Sequence, residues 1–118
     1  MVPLQLIFDK SSFLSRLEGD EPLGSEIIAM FLQECPKLLE GVRQAADQHN
    51  ALLLERAAHA LKGSVGDIAA TQAFDAAGTL EQKAREGKIE DAATMVKILE
   101  AALDRLVSEL RNEVKKAA

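Results

Sequence analysis

Apolar residues recur three and four positions apart through most of the chain, the spacing of an amphipathic helix. Turn signals divide this pattern into five helical stretches. Asp9 is placed to cap a short first helix carrying Phe13, Leu14 and Leu17, which Gly19-Asp20 ends. Asp20 caps a second helix, with Pro22 tolerated in its first turn, that runs to about Gln48. Pro36 lies inside it and predicts a bend, because it removes a backbone donor. Asn50 caps a third helix that ends near Asp67. Thr71 is expected to cap a fourth, which stops at Glu86-Gly87. The fifth starts near Glu90 and continues toward the C-terminus, with Met95, Leu99, Leu103, Leu106, Leu110 and Val114 as its buried stripe. Four long helices with short connections predict an all-α fold. The expected architecture is an antiparallel four-helix bundle with a short N-terminal covering helix, a single domain over residues 1–118.

Composition agrees with this reading. Apolar residues are 47% of the 118, almost all aliphatic, with no Trp or Tyr and four Phe, and β-branched runs are absent. The formal net charge of −5, with no basic block and few aromatics, argues against nucleic acid, which needs a basic footprint and stacking platforms. No run is long enough to span a membrane, and the opening residues lack the pattern of a signal peptide, so a cytoplasmic location is expected. The single cysteine, Cys35, lies in an apolar run and reads as a buried core thiol.

The third helix carries the chemistry. Leu54, Ala58, Leu61, Val65 and Ile68 recur at helical spacing and make its core stripe. His59 is two positions from Leu61, which turns it roughly 160° away, toward solvent. Above His59 on the outer face lie Lys62, Gly63 and Gly66. A glycine inside a helix costs roughly 1 kcal/mol relative to alanine, so two of them there call for another reason. A bare patch lets a second body approach the backbone, and the lysine can neutralise a transferred phosphoryl charge. A neutral imidazole is a nucleophile at physiological pH and can hold a phosphoryl group as a labile phosphoramidate. Glu55 and His59, one turn apart, could be half of a metal site, but no second histidine joins them and no metal is expected. His49, at the polar junction between the second and third helices, reads as solvated.

The run Ala58-His59-Ala60-Leu61-Lys62-Gly63-Ser64, followed by Gly66-Asp67-Ile68-Ala69-Ala70, resembles the signature of histidine-containing phosphotransfer (HPt) domains. Phe8-Asp9 with Leu14 and Leu17, Phe31-Leu32 with Pro36 and Leu39, and Leu80-Glu81 followed by Arg85 and Gly87 extend the likeness along most of the chain. The resemblance implies a phosphorelay intermediate. His59 would take a phosphoryl group from the aspartate of a response-regulator receiver domain and pass it to another regulator, with a sensor or hybrid histidine kinase upstream. Lys62 would support the group, Gly63 would permit approach, and Glu81 would orient the imidazole from the fourth helix. No cofactor is expected on this chain, with Mg2+ on the receiver, and a monomer is the simplest expectation. Two positions depart from the family pattern: Asp67 stands for the usual Asn and Ala69 for the usual Gly. No glycine-rich nucleotide loop is present, so a kinase is not expected. The competing reading is a helical module that binds a receiver domain without chemistry.

The second helix has more apolar residues than one stripe uses. Ile28, Phe31, Cys35, Leu38 and Val42 make a core stripe. Leu23, Ile27 and Met30 make another, offset by roughly 100°. Either the first helix covers it, or it is a docking patch for a partner, together with Glu34 and Gly66. The resemblance favours the docking patch, with the first helix covering part of it.

Overall fold

The computed structural model describes residues 6–117. Five helices follow in order: α1 (Lys10–Arg16), α2 (Glu21–Asp47), α3 (Ala51–Asp67), α4 (Thr71–Arg85) and α5 (Ala92–Ala117). The described residues contain no strand. Helices α2 to α5 pack in a closed ring, each against the next and α5 back against α2, with α3 and α4 sharing the largest interface. This is the four-helix bundle, and α1 is its cover.

Three of the four expected caps form. Asp9 accepts from Ser12 N at 3.1 Å, Asp20 from Leu23 N at 3.1 Å and Asn50 from Leu53 N at 3.0 Å. Thr71 is not a cap. Ala70 holds that position and offers no side-chain bond. The physical reason lies in the connection from α3. Ala70 N donates to Val65 O at 3.0 Å to close α3, while its own carbonyl accepts Phe74 N at 2.9 Å to open α4. The N-terminal segment then supplies what a side chain would have supplied. Gln72 N donates to Leu6 O at 3.2 Å, and Asp9 N donates to Ala69 O at 3.0 Å. The cover is thereby laced across the α3–α4 junction by backbone bonds. Arg16 reinforces it by donating to Gly66 O at 2.8 Å, and Lys10 pairs with Glu113 at 2.9 Å.

The core is aliphatic. Leu54, Leu61, Leu80, Leu99, Leu103, Leu106 and Leu110 are fully enclosed, with Phe13 under the cover. The α3 stripe is buried as expected from Leu54 to Ile68. On α5 the expected stripe needs two corrections. Val114 is exposed and Met95 half-buried, whereas Val96 and Ala102 are buried. The helix begins at Ala92, so its N-terminal stripe turns on Ala92, Val96 and Leu99, and Val114 lies near the rim of the bundle beyond the last full core layer. Helix α2 continues through Pro36. Cys35 is buried, and burial pushes its thiol up, with Asp104 adding to the effect, so it is an unreactive core group.

Among the described residues no helix is long and apolar enough to cross a membrane. The α2–α3 connection passes through His49, which is exposed and holds a left-handed φ of +51°. A β-carbon is disfavoured there. His49→Gly is therefore expected to stabilise the fold by about 0.5–1 kcal/mol, read as a higher urea midpoint at unchanged slope.

Candidate functional site

Helix α4 buries an alanine-rich face, Ala73, Ala77 and Ala84 with Leu80. Small side chains let its axis lie close to α3. The two helices run antiparallel, and their facing residues form a ladder at about one turn per rung. Phe74 lies over Gly66, Gly78 beside the stem of Lys62, Glu81 beside His59, and Arg85 beside Glu55.

Glu81 is the centre of this ladder. It is the one charged residue classed as buried among the described residues, with a side chain only 5% exposed. It is not a solvated helix charge. Both of its carboxylate oxygens are occupied. Oε1 pairs with Lys62 Nζ. Oε2 lies 2.7 Å from His59 Nδ1 and accepts from Arg85 Nη2 at 3.2 Å. Burial alone would push this carboxyl up. The hydrogen bonds from Lys62 and His59 outweigh it and hold the group below the ordinary carboxylate range. It is therefore ionised at neutral pH and can only accept hydrogen bonds. It follows that His59 Nδ1 carries the proton and donates it to Glu81, leaving the lone pair on Nε2. The His59 side chain is 69% exposed. The arrangement is an imidazole anchored at its inner nitrogen and open at its outer one.

The two outer-face glycines differ. A β-carbon on Gly63 would meet nothing within 4 Å. Gly66 does not share that open patch. A β-carbon there would come within 3.2 Å of the Phe74 ring, so this glycine seats a side chain of its own chain rather than a bare surface for a partner. Lys62 Nζ lies 5.9 Å from the same ring. On α2, Met30 and Leu23 are 63% and 40% exposed, Glu34 is exposed, and Ile27 is half-buried against the core. Phe13, Leu14 and Leu17 of the cover pack at Gly24 on α2.

Sequence reasoning joined His59, Lys62 and Glu81 correctly in space and missed two members of the same network. Arg85 donates through Nε to Glu55 at 3.1 Å while it holds Glu81. Glu55, readable as half of a metal site, is thus an ion-pair partner. Among the described residues no group of three or more potential metal ligands clusters. The signal was present as opposite charges on α3 and α4, but pairing them requires the register of the two helices.

Residues 26–113 match the family model of the Hpt domain, and the chain belongs to that family. It is therefore a histidine phosphotransfer domain of phosphorelay signalling, a class that interacts with receiver domains and histidine kinases. Its fold is similar to histidine-containing phosphotransfer protein B (HptB) from Pseudomonas aeruginosa PAO1, at a TM-score of 0.87 and 20% identity, covering 93% of this chain and 96% of that one. It is also similar to the HPT domain of a sensor hybrid histidine kinase from Shewanella, at a TM-score of 0.82 and 16% identity, covering 93% and 95%. No curated protein sequence matches the chain.

Two outcomes are expected from the geometry. Gly63→Ala should stabilise the helix by roughly 0.5–1 kcal/mol, because the new methyl meets nothing. Gly66→Ala should be the less stable of the two, because Phe74 must move, and urea denaturation of both variants tests the order. For Glu81, a carboxyl held low in the folded state stabilises the fold at neutral pH, and that contribution is lost as pH falls from about 4.5 through its lower folded value. Glu81→Gln should lack this part of the acid transition, seen as a flatter stability–pH curve below pH 4.5 than in wild type.

Proposed function

We propose that His59 is the phosphoryl acceptor, and that its Nε2 is the atom that reacts. The observation that carries this reading is the exposed imidazole whose inner nitrogen is held by a buried, ionised carboxylate. Nε2 attacks the phosphorus of a receiver aspartyl phosphate. The N–P bond forms as the bond from phosphorus to the aspartate oxygen breaks, and the carboxylate leaves with the electron pair. Nδ1 keeps its proton throughout, so the ring becomes cationic, and Glu81 offsets that charge. Return of the group to a second receiver reverses these steps without any proton transfer, which suits a relay.

The other residues support this step. The Lys62 ammonium has three donors, so it can keep its bond to Glu81 and offer another to a phosphoryl oxygen. Gly63 has no packing reason within the chain, which supports its role in admitting the partner's backbone. Leu23, Ile27, Met30 and Glu34 on α2 would form the docking face for the receiver. The Mg2+ of the reaction would sit on the receiver, and this chain would need no metal of its own. A cytoplasmic monomer that does not bind nucleic acid fits the acidic charge and the partner chemistry.

The direct test is transfer of label from a phosphorylated receiver domain of the same organism. Wild type is expected to acquire acid-labile, base-stable label, and His59→Gln none. Gly63→Ala should fold normally and take up label at least several-fold more slowly. A wild type that binds the receiver and acquires no label would sink the relay reading and leave a non-catalytic binding module.

A further inference from the structure

Two anions and two cations are linked around the imidazole: Glu81, Glu55, Lys62 and Arg85. Their charges cancel when the ring is neutral. That balance matters because a buried carboxylate 2.7 Å from Nδ1, left alone, would favour imidazolium. Imidazolium has no lone pair on Nε2 and cannot attack. Lys62 neutralises one side of the carboxylate. Arg85 neutralises the other, and it does so on the same oxygen that holds His59, at 3.2 Å. The guanidinium is itself fixed from α3 by Glu55, through its Nε at 3.1 Å. Guanidinium suits this position because its fork can bond two carboxylates at once with a charge that does not titrate.

We propose that Arg85, anchored by Glu55, is a positioning residue that weakens the pull of Glu81 on His59 and so keeps the ring in its neutral, nucleophilic form. It does not touch the reacting atoms and acts through Glu81. The charged groups around the ring are Glu55, Arg56 and Lys62 on α3 and Glu81 and Arg85 on α4. Arg56 is exposed.

The chain supplies its own control, because it has two histidines and His49 lies exposed at the α2–α3 connection. Ring titrations of both, followed by NMR of the protein, test the charge balance. In Arg85→Met the His59 titration should move up by about half a pH unit relative to wild type. In Glu55→Gln it should move down. His49 should stay fixed in both, and Arg85→Lys, which keeps the charge, should stay nearer wild type than Arg85→Met. A merely structural role would not give opposite shifts at one ring. No shift, or shifts of the same sign, would overturn the inference.

The kinetic consequence rests on the relay reading. Phosphoryl uptake by Arg85→Met, taken as a ratio to wild type with the same receiver, should fall about two- to threefold at pH 6.5 and recover by pH 8.5, following the fraction of neutral ring. A ratio that does not change with pH would count against Arg85 acting through protonation. If wild type takes up no label, the relay reading fails and the titrations still decide the role of Arg85.

Discussion

A carboxylate removed from water must be hydrogen-bonded and charge-compensated, or it destabilises the fold that buries it. Glu81 is such a group, and the site is organised by the way the bundle meets that demand. Lys62 and His59 reach it from α3, and Arg85 reaches it from one turn further along α4. Meeting the demand fixes the imidazole's tautomer and turns its free nitrogen outward. The same bonds that make Glu81 tolerable in the interior therefore prepare His59 for chemistry. No separate device is needed to orient the histidine, because its orientation is part of how the α3–α4 interface is satisfied.

The α3–α4 interface in turn depends on small residues. The alanines of α4 bring the two axes close, the stem of Lys62 passes beside Gly78, and Gly66 receives the Phe74 ring. The end of this helix pair is then sealed by the N-terminal segment, through the bonds of Asp9 N and Gln72 N and the reach of Arg16 to Gly66. The cover thus acts at the end of the bundle nearest the α3–α4 connection. Leu23 and Met30 on α2 stay exposed, where the excess of apolar residues left a covered seam and a docking patch as alternatives. Gly63 stands apart from these packing roles. An alanine there would strengthen the helix and meet no neighbour, which supports the proposal that this glycine admits a partner.

Much of this was legible along the chain. The caps at Asp9, Asp20 and Asn50 are local, since a side chain three residues from its donor either reaches it or does not. The stripe from Leu54 to Ile68 and the outward turn of His59 follow from helical period alone. Thr71 failed as a cap because Ala70 takes that position in closing α3 on Val65 O, and a distant segment, at Leu6 and Asp9, meets the backbone groups of the junction. Val114 failed as a core residue because a stripe states which face is apolar and not where the neighbouring helices stop.

The division follows the range of the forces. The sequence by itself determined the five helices, the apolar stripes that drive them together and the exposure of His59, because each depends on contacts within a few residues. Only the tertiary structure decided that Glu81 is buried, that Gly66 is filled while Gly63 is open, and that Glu55 and Arg85 belong to the histidine's network. Those facts depend on the antiparallel register of α3 against α4. That register is set by how whole helix faces pack, a property of the pair that neither helix carries in its own residues.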